Sequence, residues 1–164
     1  MHLSKLQKSS GIVLAALILI VTAMSSMFFL FELKLSLIQW VAFNSCSVIN
    51  IISLICFCLF VFGNKPSALA FTILPAFYLG TLSMFVLPWN QDMLMAHAGH
   101  IFMSLHIIWV LGVLIKNQLY KAMGIGLLVG ILVFSPFIAW EQQYQQLHLS
   151  EFTEIVNLNL QKAE

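Results

Sequence analysis

The sequence MLMAHAGHIFMSLHIIWVLGVLIK, residues 93–116, is apolar over a length sufficient to cross a bilayer, yet it carries His97, His100 and His106. A membrane-spanning helix needs about 20 consecutive, predominantly apolar residues. Ionisable side chains at membrane depth are costly, so they mark candidate functional sites. This stretch therefore predicts both the fold class and the place where a function would lie.

The composition of the whole chain agrees with a membrane protein. Of its 164 residues, 61% are hydrophobic and 8% are charged, and the mean hydropathy is +0.98. A soluble domain has about 45–50% apolar and about 25% charged residues. The first expected partner is therefore the lipid bilayer. The net charge is +1 and arginine is absent, so no basic stripe is available to follow a phosphate backbone, and we expect no nucleic acid partner.

Four further apolar runs accompany the histidine-bearing one. We predict an all-α integral membrane protein, a bundle of five transmembrane helices at about residues 11–31, 39–62, 67–88, 94–115 and 122–140. Helices are expected because lipid offers the backbone no hydrogen-bond partners. The first run exceeds the roughly 7–15 apolar residues of a signal peptide, which favours an uncleaved helix. Residues 1–140 then form one transmembrane domain and residues 141–164 a polar tail.

The acidic residues all fall on one predicted side of the membrane, whereas five of the seven lysines fall on the other. One side carries only lysines, namely Lys5, Lys8, Lys65, Lys116 and Lys121. The other carries the acidic residues Glu32, Asp92, Glu141, Glu151, Glu154 and Glu164, and it also holds Trp40, Trp89 and Trp140 at the expected interface. Because lysine-rich loops stay in the cytoplasm, we predict a cytoplasmic N-terminus and an external tail. The pattern is typical of a multi-pass protein of a bacterial-type inner (plasma) membrane.

Polar side chains within the spans concentrate in their outer halves, which predicts a polar pocket there. On the fourth helix Met93, His97, His100 and Ser104 fall on one stripe at about 100° per residue. Asn44, Asn50 and Tyr78 on other helices complete the predicted cofactor-binding set of His97, His100, Asn44, Asn50, Tyr78 and Ser104. As metal ligands we predict His97, His100 and Met93, because a thioether favours copper(I). Haem ligation by either imidazole and a quinone-like ligand are alternatives.

A purely structural role for the same residues is an equally weighted alternative. Polar side chains in membrane helices often only bond one helix to another, at roughly 0.6 kcal/mol each. His106 lies on another face of its helix and is expected to be a satisfied core histidine. Cys46, Cys56 and Cys58 have no metal-ligand spacing, so we expect them to be small buried hydrophobes.

Gly126 and Gly130 in the fifth run have the GxxxG spacing, which lets another helix approach closely. That neighbour is either a second copy of the chain, giving a homo-oligomer, or another helix of the same chain.

The function that we predict is that of an accessory membrane subunit that binds copper, haem or a quinone-like ligand and works with other membrane proteins. A non-catalytic interaction protein, such as an assembly factor or a toxin-immunity protein, is the alternative. A transporter of small solutes or protons is third, because no carboxylate or lysine is predicted at the bilayer midplane. Enzymatic activity is not favoured, since no set of nucleophile, base and orienting group can be assembled.

Overall fold

The structure is a computed structural model that describes residues 3–90 and 93–161. Asp92 and Glu164, which contribute to the predicted charge separation, lie outside the described residues. Every regular element in the described part is helical, without strands. Five helices are long and apolar enough to cross a membrane: Lys5–Glu32, Ser45–Gly63, Pro66–Val86, Leu94–Lys116 and Tyr120–Leu158. The predicted all-helical architecture with five candidate spans is thus confirmed.

The first helix, α1 (Lys5–Met27), begins at a capping box. Gln7 N donates to Ser4 Oγ at 3.1 Å, and Ser4 N donates to Gln7 Oε1 at 3.1 Å. These bonds satisfy two of the backbone groups that a helix start leaves unpaired. The helix continues into a π-helical turn, Phe28–Glu32.

The second predicted span, residues 39–62, is interrupted near its start. A short helix α2 (Leu37–Phe43) stops at Asn44, whose φ of −133° and ψ of 40° are not helical, and α3 (Ser45–Gly63) follows. α3 ends at Asn64 in the left-handed conformation, a φ of 51° that asparagine tolerates better than most residues. Trp40 is buried within the bundle at 9% exposure, and its position at the membrane interface stays a prediction.

The third span consists of short pieces: α4 (Pro66–Phe71), α5 (Ile73–Ala76), a π-helical turn (Phe77–Thr81) and α6 (Ser83–Val86). Pro75 causes part of this irregularity, because proline has no backbone N–H to donate to the carbonyl four residues earlier. That carbonyl belongs to Phe71, where α4 ends. A proline within a predicted span is expected to kink its helix, and the break lies at Thr72, between α4 and the short helix α5 that contains Pro75.

The last two helices are regular. α7 (Leu94–Lys116) carries the histidines, and α8 (Tyr120–Gln161) runs without interruption for 42 residues, or about 63 Å at 1.5 Å per residue. The segment predicted as a polar tail from residue 141 is therefore helical to Gln161. The stretch after Pro136 contains neither glycine nor proline, so nothing in it stops the helix.

The end of α8 packs on α2 and on the turn after α1. Phe152 stacks on Phe43, with ring centroids 4.1 Å apart, and on Phe29, at 6.2 Å. Gln39 Nε2 donates to Glu151 Oε1 at 2.9 Å. These contacts hold the C-terminal part of α8 against the rest of the bundle.

The core lies between α3, the third span, α7 and the first part of α8. Its buried members include Ile49, Phe60, Leu69, Ile73, Met103, Val110, Leu114 and Phe134. A side chain at Gly126 would meet Ser67 O and Ala70 Cβ, and one at Gly130 would lie 2.9 Å from Phe71 O. Both glycines therefore allow close approach of α4 within the same chain. Homo-oligomer formation through them stays a prediction.

Candidate functional site

His97 lies at the start of α7, where it is enclosed by the bundle. The same end of the bundle contains Glu32, Trp89 and Glu141, and we call it the acidic end. The side chain of His97 is 1% exposed. Nε2 is 3.1 Å from the carbonyl oxygen of Pro88, and the ring stacks on Trp89, with centroids 3.8 Å apart and planes inclined by 8°. A carbonyl only accepts, so Nε2 carries the proton and donates. Nδ1 is buried without a hydrogen-bond partner in the described residues.

His100 lies one turn further along α7 and contacts α3. Its Nε2 is 3.4 Å from Cys46 Sγ, and its Nδ1 is buried without a partner. The side chain is 3% exposed. A thiol and an imidazole at this separation form a weak hydrogen bond, and they are also placed as two ligands of one metal ion would be.

The two histidine rings meet edge to face, with centroids 6.5 Å apart and planes at 83°. The predicted pairing of His97 and His100 at one depth therefore corresponds to their placement. Within residues 3–90 and 93–161, no group of three or more His, Cys, Asp or Glu side chains is already arranged around one point as a metal site. The arrangement is a pair of rings with a thiol beside one of them.

Ser104 belongs to the same stripe but bonds to other groups. Its Oγ donates to the carbonyl oxygen of His100 at 2.9 Å, lies 2.9 Å from Thr81 Oγ1, and is 3.6 Å from Met84 Sδ. Thr81 ends the π-helical turn of the third span, so this cluster connects that turn to α7. Ser104 positions the helix carrying His100, and its hydroxyl is already bonded.

The remaining predicted site residues are distributed around this pair. Asn44 Oδ1 accepts from Ser25 Oγ at 3.2 Å and from Ser47 Oγ at 2.9 Å, which ties α1 to α3. Asn50 is buried one turn beyond Cys46 on α3. The hydroxyl of Tyr78 accepts from Gln142 of α8. Met93 precedes α7 as its N-cap residue.

His106 is buried on α7, as the sequence predicts. Its ring stacks on that of Trp109, with ring centroids 6.2 Å apart. Its Nε2 has no hydrogen-bond partner, so it is not the satisfied core histidine that we expected. Trp109 Nε1 donates to Gln7 O at 3.1 Å, which places this part of α7 beside the start of α1. His106 therefore lies apart from the pair His97 and His100.

Sequence reasoning missed Cys46. The expectation that all three cysteines are buried hydrophobes is met by Cys56, whereas Cys58 is exposed and Cys46 contacts His100. The available signal was periodicity, because Cys46 precedes Asn50 by four residues and so shares its face of α3. The expectation for Cys46 rests only on the lack of a metal-ligand spacing among the three cysteines.

Glu141 is a second residue that sequence reasoning placed differently, at the membrane surface. It is 4% exposed, and its Oε1 accepts from Ser45 Oγ at 2.6 Å and from Gln145 Nε2 at 3.0 Å. Gln145 Nε2 also donates to Ala42 O at 2.6 Å. These bonds attach α8 to the break between α2 and α3. Glu141 lies seven residues after buried Phe134, the spacing of one helix face, which was the signal for its burial.

Buried polar atoms without a hydrogen-bond partner gather at the acidic end. Of those found in the described residues, all except His106 Nε2 belong to residues in that half of the bundle: Thr22 Oγ1, Ser26 Oγ, Trp40 Nε1, Asn44 Nδ2, His97 Nδ1, His100 Nδ1 and Glu141 Oε2. Each such atom costs about 1–3 kcal/mol if left unsatisfied. Since a fold tolerates few of these atoms without a reason, their grouping marks this end as the candidate binding region.

Two surface pockets, of about 330 and 320 Å³, are found elsewhere. The first is lined by Ser67, Gln118, Leu119, Lys121, Ala122 and Ile125, and the second by Gln142, Gln145, Gln146 and Leu149. Neither is lined by a histidine. The histidine pair is therefore in a packed region and not at the wall of either pocket.

No protein-family model, no curated protein and no solved structure matches the chain.

Proposed function

We propose that this protein is an accessory membrane subunit that binds one transition-metal ion at His97 and His100, in the outer half of its helical bundle. The observation that carries the proposal is the state of His97. Its Nε2–H donates to the Pro88 carbonyl, while its buried Nδ1 has no hydrogen-bond partner and is the nitrogen left to bind an ion. Histidine ligands of metals commonly donate their second ring N–H to a backbone carbonyl, which fixes the tautomer and orients the ring.

The separation of the two rings supports a shared ion. A metal–nitrogen bond of about 2.0–2.1 Å puts each ring centroid at about 3.2 Å from the ion, so two rings on one ion have centroids at most about 6.4 Å apart. The observed 6.5 Å is slightly longer than this limit, so the two rings must move closer together before both can bind one ion.

Packing favours an ion over haem or a quinone-like ligand. Organic cofactors occupy cavities of about 300–1,000 Å³. His97 and His100 are 1% and 3% exposed, and neither described pocket is lined by them. A porphyrin would require α3 and α7 to separate, whereas an ion occupies the space between existing side chains.

The decisive experiment measures metal bound to the purified full-length chain. After loading with Cu(I), Zn(II) or Co(II) and removal of free metal, we expect about one ion per chain in the wild type and less than about a tenth of that in His97→Ala/His100→Ala, because a metal site requires its ligands. The matched control is His148→Ala, since His148 is a half-buried histidine of α8 whose ring stacks on Tyr144.

Equal metal content in the double variant and in His148→Ala would contradict the proposal, as would a wild-type chain that retains none of the three ions. Helical content by circular dichroism confirms that the double variant is folded. That measurement separates loss of ligands from loss of structure.

We further propose that the chain crosses a bacterial-type inner membrane with the acidic end outside and the N-terminus in the cytoplasm. The lysine distribution supports this orientation. The test places single cysteines at Gln146, exposed on α8, and at Lys65, exposed in the turn after α3, in a chain without native cysteines. A membrane-impermeant maleimide should label Gln146→Cys in intact cells and Lys65→Cys only after permeabilisation. The reverse result would invert the topology.

A further inference from the structure

We propose that the end of the bundle opposite the acidic end binds the headgroup of one anionic phospholipid, with Lys121 as the cation that contacts its phosphate. The site is the cavity of about 330 Å³ between α4 and the start of α8. It lies near the C-terminal end of α7, whereas the histidine pair lies near the N-terminal end of that helix. The lipid site is therefore independent of metal binding.

The cavity opens where the third span separates from α8. Gly126 lets the two elements touch, since a side chain there would meet Ser67 O. About one turn earlier on α8, Lys121 lines the cavity, and Gln118 lines it from the turn that joins α7 to α8. The side chain of Ser67 completes the polar part of the lining. The fold thus brings an ammonium, an amide and a hydroxyl group to one space.

The described residues at this end of the bundle carry positive charge only. Its lysines are Lys5, Lys8, Lys65, Lys116 and Lys121. The described acidic residues lie toward the other ends of their helices, and they are Glu32, Glu141, Glu151 and Glu154. The charge of the cavity is therefore complementary to an anion.

A phosphate diester matches the donors that line the cavity. Its oxygens accept hydrogen bonds, and the ammonium of Lys121, the amide of Gln118 and the hydroxyl of Ser67 can donate them. Basic pockets between membrane helices bind the headgroups of anionic lipids in this way. The lining thus fits the phosphate of such a lipid.

An exposed apolar stripe continues from the cavity along α8 and favours a lipid over free phosphate. Ile125 lines the cavity, and Leu128 and Leu132 follow it on the same face of the helix. The three side chains are 48%, 59% and 67% exposed. From Lys121 to Leu132 the helix rises about 16 Å, close to half of a hydrocarbon core of about 30 Å. An acyl chain of one leaflet can therefore lie along the stripe while its phosphate occupies the cavity.

The test is a titration of the purified full-length chain in detergent with phosphatidylglycerol, followed by native mass spectrometry. We expect the wild type to retain one lipid per chain at low lipid concentration. Lys121→Gln should bind this lipid about fivefold more weakly, the scale of one lysine acting on anionic lipid. Lys121→Arg keeps the charge and should stay within about twofold of the wild type. Equal affinities of the wild type and Lys121→Gln would overturn the site.

The matched control is the double variant Lys5→Gln/Lys8→Gln. Both lysines are exposed on α1, which packs mainly against α3 and α7. The control removes two charges where Lys121→Gln removes one, yet it should bind phosphatidylglycerol within about twofold of the wild type, because distant exposed charges are screened. A loss in the control as large as that of Lys121→Gln would mean that binding follows total charge, which contradicts a site at Lys121.

Two further titrations identify the ligand. Phosphatidylcholine has the same phosphate and acyl chains without net charge, and it should bind at least about fivefold more weakly than phosphatidylglycerol. Equal binding of the two lipids would exclude selection for an anionic headgroup. Inorganic phosphate lacks the acyl chains and should not displace phosphatidylglycerol from the wild type. Displacement at equal concentration would make free phosphate the ligand and overturn the lipid proposal.

Discussion

Replacing Gly126 with alanine is expected to lower the free energy of unfolding by about 2 kcal/mol, within the range of about 1–3 kcal/mol for overpacking a filled core. The added Cβ would lie 2.5 Å from Ala70 Cβ and 2.8 Å from Phe71 N, and it would also meet Ser67 O. Two of these three atoms belong to backbone, which cannot rotate away. The added methyl group can therefore be accommodated only if the third span moves away from α8.

The matched control is Gly124→Ala on the same helix. Gly124 is exposed, and a Cβ there meets nothing within 4 Å. Thermal unfolding in detergent should show a decrease in midpoint of about 4–8 °C for Gly126→Ala, by the usual conversion of free energy to temperature, and no decrease for Gly124→Ala. Equal midpoints for the two variants would mean that α4 and α8 are not packed this closely.

The proline and the glycines of this contact depend on one another. Pro75 leaves the carbonyl of Phe71 without its helical donor, and that carbonyl is the atom that a Cβ on Gly130 would approach at 2.9 Å. Without a side chain, Gly130 leaves room for α8 to approach this carbonyl closely. The kink and the GxxxG spacing thus serve one interface inside the chain.

Replacing Glu141 with alanine is expected to destabilise the fold by about 2–3 kcal/mol, because a buried donor that loses its acceptor costs about 1–3 kcal/mol. The change removes the acceptor of both Ser45 Oγ and Gln145 Nε2. Gln145 keeps its bond to Ala42 O, so Ser45 carries the larger loss. The attachment of α8 to the break before α3 is weakened as a result.

Two variants control this measurement by chemical denaturation. Glu141→Gln keeps an acceptor oxygen, so its loss should be smaller than that of Glu141→Ala. Glu151→Ala removes an exposed carboxylate of the same helix that bonds to half-buried Gln39, and its effect should stay within about 0.5 kcal/mol, as for surface substitutions. If Glu141→Ala were as stable as Glu151→Ala, the carboxyl would not hold the helices together.

Local sequence patterns were sufficient to predict most of the fold. Length and hydropathy predicted five candidate spans, and Pro75 predicted the break in the third one. They did not predict the interruption at Asn44, because a polar residue within a long apolar run is compatible with a continuous helix. Nor did they predict that α8 continues beyond residue 140, since a polar sequence can form either a tail or a packed helix.

By itself, the sequence determined that the chain is helical, that five stretches can span a membrane, and that His97, His100 and Ser104 share one face of α7. These properties depend on the spacing of residues along one helix. Only the tertiary structure decided that Cys46 meets His100 and that Glu141 is buried against Ser45. Contacts between helices depend on the rotation and depth of each helix, which are set by packing elsewhere, such as α4 against Gly126.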